Sequence, residues 1–391
     1  MATKAALKLR ETKFPVCLIV AFCGVFVWSA SAHAIIKGVC SDCHTMHNSQ
    51  DGSVMADFAG ESGPNPALTR GSCYGCHAQA SGQALVSVGT ASIPQVMHTN
   101  GTDLAGGNFA YITGAKGSGG SDAKGHNIAD LTGSDGPLYA PPGGLITFFH
   151  NDGGNVNADT LSCAGTNGCH GYRYAAEELP DGIPTAHHNN VDGKLEVADK
   201  PSNSYRFLTG VKGLEDNDWQ HTLGPNDHNE YTARTTPIKF DGCGGTTGCH
   251  VNAAGIQPPD GTISQFCATC HGNFHTLTTT GYSSTSDGVG VDASSPFIRH
   301  PTDFALPNDG EYGAVTSYSL IAPVGRTGAL PDTPSNTANS SAGDAVTCLS
   351  CHVAHASDYP DMLRWDYLTD CDAGTANADC GCFACHTTKD D

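Results

Sequence analysis

The sequence predicts a mostly irregular chain, with short helices and few strands, wound as a thin covering rather than packed on a polypeptide core of its own. Three observations predict it. Glycine is abundant, at 48 of 391 residues, and aromatic residues make up only 7%. Long apolar runs are nearly absent after the N-terminal segment. Cysteine and histidine recur instead, 18 and 19 of them, and most fall into one motif, two cysteines followed at once by histidine. That is the attachment signature of c-type haem: each thiol adds to a vinyl group, and the adjacent imidazole ligates the iron. A macrocycle at every motif would supply the apolar mass that a chain of this length otherwise draws from its own side chains. The expected fold is therefore a multihaem c-type cytochrome wrapped around a continuous haem chain.

The N-terminus reads as a targeting segment. Lys4, Lys8, Arg10 and Lys13 form a positive region, Phe14 to Trp28 is almost wholly apolar, and Ala32-His33-Ala34 is a small-residue cleavage site. The apolar run is short for a membrane-spanning helix, and Phe22 before Cys23 argues against a lipid anchor. Residues 1–34 are expected to be a cleaved signal peptide and residues 35–391 a single heptahaem domain. Export points to the cell surface or the extracellular space, with the periplasm as the alternative. The net charge of −20 becomes more acidic still without the basic leader. Such acidity disfavours nucleic acid and anionic membranes, and suits metal cations or basic partners.

Five motifs read C-x-x-C-H: Cys40 with Cys43, Cys73 with Cys76, Cys267 with Cys270, Cys348 with Cys351, and Cys382 with Cys385. One alone would fit a zinc half-site or a redox dithiol; five with histidine in register, in an exported chain, do not. Two more have a longer loop, Cys163-Ala-Gly-Thr-Asn-Gly-Cys169-His170 and Cys243-Gly-Gly-Thr-Thr-Gly-Cys249-His250. They resemble each other closely and form the clearest internal repeat. Their glycines permit the tight excursion a longer bulge needs. The other reading of each is a small disulfide loop with an incidental histidine. Seven covalently attached haems c are expected. Cys371 and Cys380 are left over, and in an oxidising compartment a disulfide is the expected use of that pair. The alternative is that Cys380 replaces Cys382 as the first cysteine of the last haem.

The proximal iron ligands are His44, His77, His170, His250, His271, His352 and His386. Only Met46, Met55, Met97 and Met362 follow the leader, whereas further histidines outnumber the irons, so bis-histidine ligation and low potentials are expected. His47, His275 and His355 follow a motif by three or four residues. His47, so close to His44, cannot reach the opposite face of the same ring and is free to ligate a different iron. His126 and His300 sit in Gly- or Pro-flanked turns. His187 and His188 are adjacent and cannot easily serve one iron together, so one of them is expected to be a ligand. His228 precedes Asn229-Glu-Tyr231; His98, His150 and His221 are reserves.

Helical periodicity is poor throughout. Short helices are expected around each motif and at Pro360 to Leu368, and short strands at Leu145–Phe149 and Val315–Ile321. The long irregular connections would be unusual in an ordinary globular domain; iron ligation accounts for their order.

Taken together, Cys40-Ser-Asp-Cys-His-Thr-Met-His-Asn48, Lys124-Gly-His-Asn-Ile128, Phe266-Cys-Ala-Thr-Cys-His271 with His275, Arg299-His-Pro301 and Cys348-Leu-Ser-Cys-His-Val-Ala-His-Ala356 resemble the extracellular multihaem cytochromes of metal-reducing bacteria. Within that family the likeness is to members that polymerise into conductive filaments. The match spans nearly the whole mature chain in order. It departs in the middle, where this chain has the additional motif at Cys243 to His250 and has Gly171-Tyr-Arg173 where a histidine would follow His170. The resemblance implies closely stacked haems alternating between parallel and T-shaped pairs. It also implies that His47 leaves its own subunit and ligates the haem of the Cys348-to-His352 motif in the next. Such a head-to-tail contact does not close, so it builds a homopolymer. Implied donors are periplasmic or outer-membrane cytochromes; implied acceptors are extracellular metal oxides or other cells.

The leading function is extracellular electron transfer through such a polymer. A monomeric, soluble periplasmic multihaem carrier is the alternative, separated from it only by the trans role of His47. A multihaem reductase is less favoured, because that chemistry needs an iron with an open position, and all seven motifs end in histidine. No enzyme activity is expected.

Overall fold

The computed structural model describes residues 38–56, 63–78, 82–133, 142, 161–165, 168–171, 187–188, 193–194, 201–235, 261–271, 300–338 and 343–389. The chain divides into two units, Met1–His33 and Ala34–Asp391. The first lies outside the described residues; the second holds every element named below. No helix among the described residues is long and apolar enough to cross a membrane.

The described chain is mostly coil, with short helices and short strands. Helical turns form where the motifs are, at Cys40–Cys43, Cys73–His77, Ile263–Ala268 and Cys348–Cys351, with a 3-10 turn at Gly381–Ala384. Local capping explains their starts. The Ser72 hydroxyl accepts from the Gly75 amide, and that of Thr262 from the Gln265 amide. Thr347 and Ser350 form a reciprocal capping box. Each such cap contributes about 1 kcal/mol. The expected helix at Pro360 to Leu368 is divided between a 3-10 turn, Pro360–Met362, and a helical turn, Tyr367–Asp370.

A hairpin pairs Leu85–Val88 with Ala91–Pro94 through a turn at Gly89, whose φ is 58°. The Asp42 carboxylate accepts from the Thr90 amide and hydroxyl at 2.9 and 3.1 Å, fastening the hairpin tip to the first motif. A five-stranded mixed sheet runs in the order Gly213–Leu214, Glu230–Thr232, Gly325–Arg326, Ala345–Val346, Phe304–Ala305. Its strands have two or three residues, so backbone pairing alone is little to hold it. Arg326 reinforces it. The guanidinium donates to both oxygens of Glu230 at 2.6 and 3.0 Å, to Asp344 at 2.6 Å, and to the Thr337 and Ser335 carbonyls.

The strand expected at Val315–Ile321 does not form. Val315 and Tyr318 are the buried residues there, three apart rather than two, which a strand cannot place on one face. The segment touches its neighbour at an isolated bridge, Ser317↔Thr337, and Tyr318 lies instead over His228 and Arg326. The strand expected at Leu145–Phe149 lies outside the described residues.

Apolar packing is divided among three small clusters. One gathers Ala78, Met97, Phe109, Ala110, Ile112, Ile128 and Ala356; the second centres on Tyr205, Tyr231, Phe266 and Leu349; the third on Leu306, Val315, Tyr318 and Val346. Each borders a motif: Ala78 follows His77, Phe266 and Leu349 lie inside the helical turns of two others, and Cys385 packs on the third cluster. Cys371 and Cys380 form a disulfide, as expected, with Cα atoms 5.2 Å apart.

Candidate haem-binding sites

A single helical turn brings residues i, i+3 and i+4 to one side. In the C-x-x-C-H motifs it therefore turns both thiols and the imidazole toward one place. Backbone bonds hold the second cysteine in the turn in three of the motifs, including that of Cys385. The Cys76 amide donates to the Ser72 carbonyl and the Cys270 amide to the Cys267 carbonyl, both at 3.1 Å. The histidine itself closes the turn: the amides of His44, His271, His352 and His386 donate to the carbonyl of their first cysteine at 2.8 to 3.0 Å. None of the five motifs has its cysteines in a disulfide: Cys40, Cys43, Cys73, Cys76, Cys267, Cys270, Cys348, Cys351, Cys382 and Cys385 are all outside the one cystine described.

The first long-loop motif solves the same problem differently. Ser162–Ala164 and Gly168–His170 pair in parallel, with Ser162 opposite Gly168 and Ala164 opposite His170. A Cβ on Gly168 would lie 2.4 Å from the Ala164 amide nitrogen, so only glycine permits this closure. Cys163 and Cys169 are not joined by a disulfide. The second long-loop motif, with Cys243, Cys249 and His250, lies outside the described residues.

Five proximal histidines each face a histidine from elsewhere in the chain. His44 faces His188 with ring centroids 5.8 Å apart, and His77 faces His187 at 6.3 Å. His170 faces His355 at 6.3 Å, His271 faces His126 at 6.0 Å, and His386 faces His300 at 6.2 Å. A ring in direct contact lies closer; His228 stacks on Tyr318 at 4.0 Å. The five pairs share a wider, narrow range that matches two imidazoles on opposite faces of one metal. With metal–nitrogen bonds of about 2 Å on either side, the centroids should stand roughly 6 Å apart. The residues present thus fit a six-coordinate haem iron at five positions.

The other ring nitrogen is engaged in most of these histidines. Nδ1–H donates to a backbone carbonyl in His44 (Leu68), His77 (Pro94), His126 (Ala354), His170 (Arg206), His271 (Pro142) and His300 (Pro301), at 2.6 to 3.1 Å. That bond fixes the tautomer and makes Nε2 the atom that could ligate a metal. Burial also lowers His77, His126, His170 and His300, favouring the neutral imidazole that a metal would need. It pushes His187 and His271 down to about 4 and His355 to about 3, each aided by neighbouring histidines. His355 fits only because Gly106 has no side chain; a Cβ there would lie 2.9 Å from the ring. His386 differs from the rest. Its Nδ1 lies 3.3 Å from a carboxylate oxygen of Glu311, and Tyr312 lies edge-on to its ring at 5.1 Å. Glu311 is not legible in the sequence, since no spacing links it to a motif so far along the chain.

His187 and His188 both face motif histidines, His77 and His44 respectively, so the geometry offers each of them a different site. Neighbouring sites also sense one another. His170 is lowered by burial and then, beyond its carbonyl bond, by His77. Cys267 is raised well above its ordinary value by a hydrogen bond with Cys348, then by burial and by the nearby Cys169 and Cys270. Burial pushes Cys351 up to about 12, with Cys382 and Cys385 adding to it. These contacts order the described motifs in space as they stand in sequence. The first lies beside the second, and the second beside the first long-loop motif. That one adjoins the motif of Cys267 and Cys270, followed by that of Cys348 and Cys351, then that of Cys382 and Cys385.

Two histidines with ligand-like settings face no other histidine among the described residues. His352 donates from Nδ1 to the Asp361 carbonyl at 2.6 Å, and His47 to that of Asn65 at 2.9 Å. His47 has φ of 54° and precedes Asn48, also left-handed, whose buried amide bonds the Ala56 and Gly63 carbonyls and the Met55 and Ala56 amides. The imidazole is thus displayed from a pinned loop beside exposed Met46 (68%).

His228, expected as a ligand, has a different setting. It is fully buried, stacked on Tyr318, with Nε2 3.5 Å from Glu230, and no proximal histidine among the described residues faces it. His98, a reserve, is likewise buried, between the Asn100 carbonyl and Asp103. No histidine faces His221 among the described residues. His275 and His150 lie outside them.

A family model, one curated relative and two solved structures resemble the chain. The family model described as the doubled CXXCH motif matches residues 340–391. The chain resembles the C-type cytochrome OmcS of Geobacter sulfurreducens, 26% identical over 90% of this chain and 84% of that protein. Two solved structures also match. One is the cryo-EM structure of the OmcS nanowires from Geobacter sulfurreducens, at 20% identity, 92% and 93% coverage and a TM-score of 0.41. The other is the outer membrane cytochrome S filament from the same organism, at 21% identity, 88% coverage of each chain and a TM-score of 0.41.

Proposed function

We propose that this protein is an exported, extracellular electron carrier that holds seven c-type haems on bis-histidine ligands and polymerises head to tail into a conducting filament. The observation that carries the proposal is the set of five histidine pairs, each a motif histidine and a distant histidine spaced for one metal between them. A haem bound at each site would supply a one-electron iron couple. The residues do the rest. Thiols would fix each ring covalently, and backbone carbonyls aim six of the ten paired imidazoles. Two histidines per iron leave no position for a substrate, which suits electron transfer and not reduction chemistry at the metal. The spatial order of the six described motifs supports one path along the subunit. The resemblance to OmcS over most of both chains supports the same reading.

The polymer contact in this reading joins two histidines that face no other histidine among the described residues. The His352 site would take its sixth ligand from His47, a fixed imidazole at a motif whose own histidine faces His188. A second copy of the chain satisfies both, with His47 of one subunit bound at the Cys348-to-His352 site of the next. Such a contact is heterologous and propagates. The proposed donors are cytochromes of the periplasm or outer membrane, and the proposed acceptors lie outside the cell.

The test is His47→Ala in the full chain, read by haem mass, negative-stain microscopy and the magnetic spectrum of the oxidised protein. The expected result is full haem loading, no filaments, and one high-spin iron per subunit. Ordered filaments from the variant with every iron low-spin would overturn the polymer contact. Wild-type protein that is monomeric with all irons low-spin would favour a soluble periplasmic carrier.

A further inference from the structure

We propose that Cys371 sets the register of the last haem, by holding Cys380 in a disulfide so that only Cys382 is available as the first thioether cysteine. This rests on the reading of Cys382 and Cys385 as a haem site. The sequence presents three cysteines before His386: Cys380-Gly381-Cys382-Phe383-Ala384-Cys385. Two of them compete for one vinyl group. Cys382 with Cys385 encloses two residues, and Cys380 with Cys385 encloses four. A longer enclosure is within the chain's own range, since Cys163 and Cys169 enclose five.

The fold brings the competitors together. The sulfurs of Cys371, Cys380 and Cys382 all lie within 4.8 Å of one another. Cys380 is 2% exposed and immediately precedes the 3-10 turn Gly381–Ala384. Gly381 lies against Trp365, where a Cβ would meet the indole, so the two flanking cysteines are pinned side by side. Nothing in the backbone separates their sulfurs; only the covalent state does.

That state decides the chemistry. In thioether formation the S–H bond breaks, a sulfur–carbon bond forms to the inner vinyl carbon, and the proton ends on the outer one. No electrons leave, and the reacting sulfur must carry a proton. A sulfur in a disulfide carries none and cannot add. The Cys371–Cys380 bond therefore withdraws one of two adjacent thiols before the ring arrives. The same cluster has a route to error, because a Cys382 thiolate attacking the Cys371 sulfur would form Cys371–Cys382 and release Cys380. Thioether formation at Cys382 removes that nucleophile, so the haem and the disulfide lock each other.

The experiment expresses the full chain in a host that attaches c-type haem and maps haem peptides by mass spectrometry. Wild type should carry the last haem on Cys382 and Cys385. Cys371→Ser should give a second population with the thioether at Cys380. The double variant, Cys371→Ser with Cys380→Ser, also lacks the disulfide and should return to the single wild-type attachment. An unchanged single attachment in Cys371→Ser overturns the proposal, as does an equal loss of haem in both variants, which would make the disulfide merely structural. Wild type with no haem on Cys385 would instead remove the reading of the site itself.

Discussion

Replacing Glu311 by glutamine should raise the potential of one haem, that of Cys382 and Cys385, and leave the others in place. The carboxylate lies 3.3 Å from Nδ1 of His386, on the side of the ring away from the proposed iron. Across the imidazole it stands roughly 7 Å from the metal, where a unit charge at an effective dielectric constant of about 20 contributes about 2 kcal/mol. For a one-electron couple, at about 59 mV per tenfold, that is on the order of 100 mV. Two features reduce it. Lys389 approaches the same oxygen at 4.0 Å, and the Glu311 side chain is 21% exposed. Screening by solvent and by that cation brings the expected shift to about 50 mV upward. The sign follows because the negative charge favours the ferric iron, and glutamine removes it. Spectroelectrochemical titration of wild type, Glu311→Gln and Glu311→Asp would measure it. Glu311→Asp should stay near wild type. A downward shift in Glu311→Gln, or equal shifts in both variants, would refute the reasoning.

Intact mass of the denatured protein should exceed the apo mass by seven haems; five would show that both long-loop motifs are empty. His187→Ala and His188→Ala should each produce one high-spin iron, and the double variant two. A single variant that leaves every iron low-spin would break the pairing given for that residue. Arg326→Met should destabilise the protein by about 3–5 kcal/mol, because Glu230 and Asp344 stay buried without their cation. Denaturant unfolding followed by far-ultraviolet circular dichroism measures it, and a loss below about 1 kcal/mol would show that the two carboxylates find other partners.

The parts legible in the sequence are those that chemistry confines to a spacing. The C-x-x-C-H turns, the leftover pair Cys371 and Cys380, and the ligand settings of His126, His300 and His355 all belong to that kind. The parts not legible depend on contacts across the chain. Strands of two or three residues, such as Gly325–Arg326, are too short for alternation to mark them. Arg326 ties Glu230 and Asp344 together across the sheet, and no local pattern announces that. Position before Asn229-Glu-Tyr231 makes His228 resemble a ligand, yet Tyr318 and Glu230 enclose it. The adjacency of His187 and His188 counts against both serving as ligands only on the assumption of one site; in the fold their rings face the histidines of two different motifs.

That dipeptide has a mechanical consequence. Two neighbouring redox centres, as proposed, hang from one trans peptide unit, whose Cα atoms are about 3.8 Å apart whatever the surrounding loops do. The peptide is the stiffest spacer a polypeptide possesses, with rotation about it opposed by a barrier of about 18–20 kcal/mol. As proposed, this fixed unit would limit how far motion between separate loops changes the gap between the first two centres, leaving ψ of His187, φ of His188 and the side-chain torsions as the soft coordinates. Conductance across that step should vary less with temperature and hydration than across steps whose spacing depends on packing between separate loops.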